Sequence, residues 1–140
     1  MVNQATGVRY EASRGGGARR DGRPIRPSGC EDIAGAMVCL SGFPPRHLGW
    51  RYFRALGAAA LDLCAVADGT LDAYVDCRDD SHAAWDYLGA LLICREAGAH
   101  MADAKGRELL SRHHEDRRVP LAAATRPLLE AVTAARASFD

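Results

Sequence analysis

Lysine is nearly absent from this chain. Its 140 residues hold one, Lys105, against seventeen arginines. A charge excess of either sign is absent too: 18 basic residues face 18 acidic ones, so no whole-protein field draws the chain to nucleic acid or to an anionic membrane. No two of the five cysteines (30, 39, 64, 77, 94) have the Cys-x-x-Cys spacing of a zinc or redox site. Most lie in apolar contexts such as Val38-Cys39-Leu40 and Ile93-Cys94, which predicts buried free thiols in a reducing, cytoplasmic setting. The opening residues are not expected to form a signal segment, and every unbroken apolar run is far too short to span a bilayer. What remains is ordinary for a globular domain: 48% hydrophobic and 26% charged residues.

The charge is unevenly spread. Residues 1–29 carry six arginines (9, 14, 19, 20, 23, 26) against Glu11 and Asp21, which leaves +4 there and −4 over the remainder. With Tyr10 as its one aromatic residue and no nucleic-acid motif, this segment is expected to be a solvated edge. Residues 8–29 predict a hairpin, with a strand from Val8 to Ala12 and an Asp21-Gly22 turn. Gly15-Gly16-Gly17 has the composition of a phosphate loop. No helix follows it, and Pro24 and Pro27 forbid one nearby, so a turn between strands is expected.

Beyond residue 29 strands and helices alternate. Ala34–Leu40 predicts a strand, closed by Gly42-Phe43-Pro44-Pro45, where two prolines cannot join a ladder. Leu56, Ala59, Ala60, Leu63 and Ala67 recur with helical spacing and predict a helix over 56–67, stopped at Asp68-Gly69. Leu71–Asp76 alternates as a strand with one polar face, and Arg78 to His82 reads as a solvated loop. A helix from Trp85 to Ala97 follows, with Trp85 as a core anchor at its start and Gly98 as its stop. Strands at 100–103 and 119–125 flank a charged loop in which His113-His114-Glu115-Asp116 fits no zinc spacing. Pro127 sits in the first turn of a last helix over 126–137. The order is that of an α/β fold.

Four stretches, in order, carry a resemblance. Gly15-Gly16-Gly17-Ala18 with Asp21-Gly22-Arg23-Pro24-Ile25 comes first, then Arg54-Ala55-Leu56-Gly57-Ala58-Ala59-Ala60-Leu61-Asp62-Leu63-Cys64. Val66-Ala67-Asp68-Gly69-Thr70-Leu71-Asp72-Ala73-Tyr74 is third, and Trp85-Asp86-x-x-Gly-Ala followed by an apolar run and Glu96-Ala97-Gly98 is fourth. Together they resemble the second half of the inositol monophosphatase family, lithium-sensitive, magnesium-dependent phosphatases. The resemblance implies the second half of a layered α-β-α-β-α sandwich. Residues 1–29 would be a strand hairpin remnant of the preceding sheet, and 30–140 the C-terminal α/β domain. It further implies Asp86 as a ligand of Mg2+, with Gly57, Ala58, Ala59 and Asp76 contacting the substrate polyol.

The departures are as informative. Ala58 stands where the family usually has Ser or Thr, Leu88 where a small residue is usual, and Ala99 where a second glycine is usual. The connector from Gly42 to Arg54 is shorter than in many members, which carry a helix there. Nothing resembles the family's D-P-x-D-G-[ST] loop, whose acids hold most of the metal; no Asp in this chain precedes a Pro. One carboxylate cannot organise the near-octahedral oxygen shell that Mg2+ demands, so weak binding by Asp86 alone is expected. The implied function is therefore the C-terminal portion of a phosphatase acting on inositol monophosphate or a related sugar phosphate, inactive without the other half. The alternative is a non-catalytic interaction module for a full-length relative. Either way, apolar surface left uncovered predicts self-association or a partner chain.

Overall fold

The computed structural model describes residues 1–139. Its first layer is a meander of three antiparallel strands, β1 (Tyr10–Ser13), β2 (Gly17–Arg20) and β3 (Arg23–Pro24). The predicted hairpin thus has one strand more than expected. The Gly15–Gly17 stretch turns β1 into β2, and Asp21-Gly22 turns β2 into β3. Gly15 and Gly17 have φ of +72° and +74°, where a side chain is strained, which explains the glycines without any phosphate. Their N–H groups are nevertheless used as an anion cradle, filled from within. Gly15 N–H donates to Glu96 Oε1 (3.0 Å) and Gly17 N–H to Glu96 Oε2 (3.1 Å).

The main sheet has five strands in the order β5-β4-β6-β10-β8, with β4 Met37–Ser41, β5 Tyr52–Arg54, β6 Ala73–Asp76, β8 His100–Asp103 and β10 Pro120–Ala123. β4 runs parallel to both β5 and β6, while β10 is antiparallel to β6 and β8. Helices α1 (Ala59–Ala67) and α2 (Ala84–Ala97) lie between the meander and one face of this sheet. Tyr10 and Ala18 of the meander, Leu63 and Val66 of α1, Leu91 and Cys94 of α2, and Tyr74 and Ala122 of the sheet form one core. Helix α3 (Arg126–Ala137) covers the other face, where Val38, Leu40, Val75 and Leu121 meet Leu128 and Val132. A two-residue ribbon, β7 (His82–Ala83) with β9 (Arg117–Arg118), completes the chain.

Several expectations are corrected. The strand expected from Ala34 begins only at Met37, after a 3-10 turn at Ile33–Gly35 capped by Asp32. Strand β5 carries no sequence signal because its three residues are all exposed on the sheet edge. The helix expected from Leu56 begins at Ala59, since Gly57 takes a φ of +84°; Leu56 is left 62% exposed. The supposed polar face of β6 is dry: Tyr74 and Asp76 are fully buried, because helices cover the sheet on both sides. The short connector between β4 and β5 also covers the α3 face, through Leu48 and the buried Trp50. Of the cysteines, 39, 64 and 94 are buried and 30 and 77 half-buried, all as free thiols.

The meander is also tied on by Asp68, which follows α1 and accepts from the Tyr10 hydroxyl (2.8 Å) and the Arg20 guanidinium (2.7 Å). Glu96 supplies the tie at the other end. Glu96→Ala frees two N–H groups at a partly exposed site and is expected to cost about 1 kcal/mol. Amide exchange should quicken in residues 13–18 ahead of the main sheet, and uniform protection across both sheets would contradict this.

Candidate functional site

The parallel trio β5-β4-β6 positions the site. Chain leaving the C-terminal ends of parallel strands forms the natural crevice of an α/β sheet. Here the segment after β5 enters α1, and the segment after β6 runs into β7 and α2. Between them opens a cleft of about 550 Å3 lined by Gly57 to Leu61, Arg78, Ser81, His82, Trp85 and Asp86. Four of the five residues singled out by resemblance, Gly57, Ala58, Ala59 and Asp86, therefore meet in one cleft. The fifth, Asp76, does not line it. It lies fully buried behind Ser81 and His82.

Two helix N-termini face this cleft. Ala58 is the N-cap of α1 and offers no side-chain acceptor, so the first-turn N–H groups of α1 have no side-chain cap. That is the physical consequence of alanine at the cap position. At α2, Asp86 is the third helical residue, and its Oδ2 accepts from Ala83 N–H at 2.9 Å. This is the carboxylate half of a capping box, since Ala83 has no side-chain oxygen to return the bond. One oxygen of Asp86 is thus engaged in capping. Both helix starts make the cleft favourable for oxygen-rich or anionic groups.

The wall behind Ser81 is a buried polar network. His82 Nδ1 lies 2.6 Å from Asp76 Oδ2, and Ser81 Oγ donates to the same Oδ2 at 2.7 Å. Ser81 Oγ is also 2.9 Å from His82 Nδ1, and His82 Nε2 lies 3.3 Å from the Tyr74 hydroxyl. Ser, His and Asp are all present, yet this is no nucleophilic triad. A triad divides the two imidazole nitrogens between acid and serine, whereas here both meet Nδ1, and the serine proton already has its acceptor in Asp76. The network holds the cleft wall. From the other side, buried Arg136 of α3 donates to the Asp76 carbonyl (2.8 Å), the Arg78 carbonyl (3.3 Å) and the Asp79 carboxylate (3.0 Å). Asp80 is held by Lys105 (2.7 Å) and Arg107 (2.8 Å), whose hydrogen bonds, and less so their charges, lower its carboxyl pKa.

His82, expected in a solvated loop, is therefore buried, because Asp76 gives it a charged partner out of water. Trp85, expected as a core anchor, is 61% exposed at the cleft mouth, and the core position belongs instead to Tyr87. His113, His114 and Glu115 are exposed, as a charged loop predicts, whereas Asp116 of the same run is half-buried and accepts from Ser111 and Arg118. Arg78, Ser81 and His82 were missed as lining residues. The signal that could have found them is their position just past the end of a strand that pairs in parallel with β4.

Other chemistries are closed off. Burial pushes the Cys39 thiol, which also faces Asp62, and the Cys64 thiol up to about 12, so neither is a nucleophile near neutral pH. Burial also raises the Asp62 carboxyl, against the pull of Cys39 and of the Ala58 backbone. Among the described residues no group of three or more His, Cys, Asp or Glu side chains could hold a metal ion. The residues present do not by themselves fit Mg2+. Nor is any helix among the described residues long and apolar enough to cross a membrane.

Two substitutions test this geometry. Ala58→Ser supplies the missing cap and should stabilise the chain by about 1 kcal/mol, raising Tm by roughly 4 °C; an unchanged Tm in calorimetry would contradict the cap assignment. Asp76→Ala leaves buried His82 and Ser81 without their acceptor and should cost about 3 kcal/mol in urea unfolding. A loss below 1 kcal/mol would mean that the network contributes little to the wall.

The whole described chain, residues 1–139, matches the profile of the inositol monophosphatase family. The chain is 36% identical over 107 residues to a fructose-1,6-bisphosphatase/inositol-1-monophosphatase of Methanocaldococcus jannaschii, covering 71% of this chain and 41% of that protein. It is 36% identical over 123 residues to an inositol-1-monophosphatase of Rhizobium meliloti, covering 76% and 44%. Among solved structures, a Pyrococcus horikoshii protein with similarities to inositol-1 monophosphatase superposes with a TM-score of 0.83 at 24% identity, over 96% of this chain and 54% of that one. An inositol monophosphatase from Anabaena superposes at 0.81 with 21% identity, over 98% and 57%. The chain thus spans about two-fifths of these curated relatives and just over half of these solved chains. By sequence and by fold alike, this chain belongs to the inositol monophosphatase family.

Proposed function

We propose that this chain supplies the C-terminal part of a magnesium-dependent phosphatase site for inositol monophosphate or a related sugar phosphate, and that a second, acid-bearing segment completes it. The observation that carries this reading is the convergence of Asp86 with the Gly57–Ala59 backbone in one cleft between two helix N-termini. Bound Mg2+ would supply Lewis-acid activation of a phosphate ester. Toward it this chain offers Asp86, whose capping bond to Ala83 N–H fixes the carboxylate in place. The small residues 57–59 let substrate hydroxyls approach the backbone, and Arg78 adds positive charge at the rim. Asp76 acts as a positioning residue, holding Ser81 and His82 against the substrate side.

The completing segment has a place to bind. Large apolar side chains stand exposed beside the cleft at Leu56 (62%) and along the β5 edge at Tyr52 and Phe53. A second groove, of about 380 Å3, runs from Leu56, Ala58 and Leu61 toward Val8 and Tyr10. A second copy would cover these surfaces without adding the family's acids, whereas a partner segment that bears them would bring new carboxylates next to Asp86.

Phosphate release from inositol 1-phosphate in Mg2+ buffer tests the proposal, with the chain alone and with the N-terminal part of the M. jannaschii relative that this chain does not cover. The chain alone should stay at background. The mixture should gain activity, and Asp86→Asn should cut that gain by about a hundredfold. Activity of the chain alone would overturn the half-site reading. A stable complex that remains inactive would favour the interaction module instead.

A further inference from the structure

We propose that the outer edge of β5 is a docking site for an acidic, extended segment of a partner chain, which adds to the main sheet as a further strand. The proposal rests on the reading that a partner segment covers this surface, and it names the chemistry of that segment. Strand β5 ends the sheet and pairs with β4 alone. Tyr52 N–H donates to the Ala36 carbonyl on that side (3.2 Å). In a parallel ladder alternate residues turn opposite ways, so the N–H and C=O of Phe53 point away from β4. The Phe53 carbonyl accepts from the guanidinium of the adjacent Arg54 (2.8 Å) instead of from a strand. An open edge of this kind is a template for another backbone.

The charges around this edge are all of one sign. Between Asp32 and Asp62 the chain has no acidic residue, whereas Arg46, Arg51 and Arg54 fall there. All three are exposed. Among the described residues none of them forms a salt bridge, while half of the other arginines reach a carboxylate. Tyr52 and Phe53 lie between Arg51 and Arg54, half exposed. The Arg51 guanidinium carbon sits 5.1 Å from the Tyr52 ring centroid, and the Phe53 ring lies 6.2 Å from that of the buried Trp50. Arg46 is brought close because its neighbour His47 stacks on the same Trp50 ring at 4.5 Å. The edge is therefore an apolar strip beside three guanidiniums that the chain itself does not neutralise.

This charge selects the occupant. Charged side chains on an edge discourage pairing with neutral strands. A second copy laid edge to edge would set arginine against arginine. A segment with Glu or Asp at alternate positions supplies both the backbone for the open ladder and carboxylates for the guanidiniums. Nucleic acid would answer the charge but has no peptide ladder to offer the strand.

The test uses the whole chain and a fluorescein-labelled peptide of alternating Glu and Val, about eight residues long. The matching Lys-Val peptide and an oligouridylate RNA serve as comparators. The Glu-Val peptide is expected to bind in anisotropy titrations, more weakly as salt rises, and to slow exchange of the Phe53 amide. Arg46→Glu and Arg51→Glu should each lower its affinity about fivefold, and the double variant should bind the Lys-Val peptide instead. Phe53→Pro removes the outward N–H without touching the β4 ladder, and it should lower affinity about fivefold beyond Phe53→Ala. Binding of the RNA but not of the peptide would overturn the proposal, as would a dimer of the free chain that Phe53→Pro dissociates. If the N-terminal part of the M. jannaschii relative brings activity while the Glu-Val peptide does not bind, the acidic strand is refuted and the half-site reading stands. If that part brings no activity and the peptide does not bind, both fall.

Discussion

Asp76 ends β6 with no solvent exposure, and a carboxylate so placed must find its counter-groups within the protein. It finds them in Ser81 and His82, and the search for them folds the 77–83 segment back against the sheet. That fold delivers Arg78 and Ser81 to the cleft and sets the start of α2, hence the position of Asp86 and Trp85. Arg136 grips the same segment from the opposite face of the sheet through two carbonyls and Asp79. The cleft wall is thus continuous with the core on both sides of the sheet. Its geometry is a property of the whole domain and not of a loop.

The same device recurs across the molecule. Asp68 joins Tyr10 and Arg20 to the end of α1, and Asp72 joins Ser28 to the Met37 N–H at the start of β4. Asp103 binds Val119 N–H and Arg107 between the last two strands of the sheet. Burial raises the Asp103 carboxyl, but Arg107 and the backbone donors outweigh it and hold it below the usual carboxylate range. With Glu96 in the glycine turn, these acids join separate segments through side-chain hydrogen bonds, at the ends of ladders as well as outside them. Many of the 18 acids are consequently structural, which leaves few for a metal. One carboxylate at the cleft, half engaged in capping, is what remains.

On the proposed reading, that shortage leaves a chain with the family's fold and a single candidate metal ligand. Mg2+ sheds water only for several oxygen ligands held in near-octahedral array, and the segment that begins at the meander holds one candidate. What it does provide is preorganisation: an uncapped helix start, small residues that admit close approach, and a carboxylate pinned at the start of a second helix. Leu56, one residue before this cleft, and the β5 side chains Tyr52 and Phe53 stand exposed, which on the proposed reading is the surface an incoming chain would bury.

Sequence alone determined the alternation of strands and helices, the glycine turns, the stops at Gly69 and Gly98, and the family motifs that single out Asp86 and Gly57–Ala59. These are local: helical spacing, glycine backbone freedom and proline's missing donor act within a few residues. Tertiary structure decided what depends on distant partners. Strand β5 exists because β4 lies beside it, Tyr74 and Asp76 are buried because helices cover both faces, and the glycine turn is filled because Glu96 arrives from α2. His82 and Trp85 exchange their expected places for the same reason. A polar ring can be buried where a carboxylate awaits it, and an apolar ring stays mostly in water where only His114 and Arg117 lie against it.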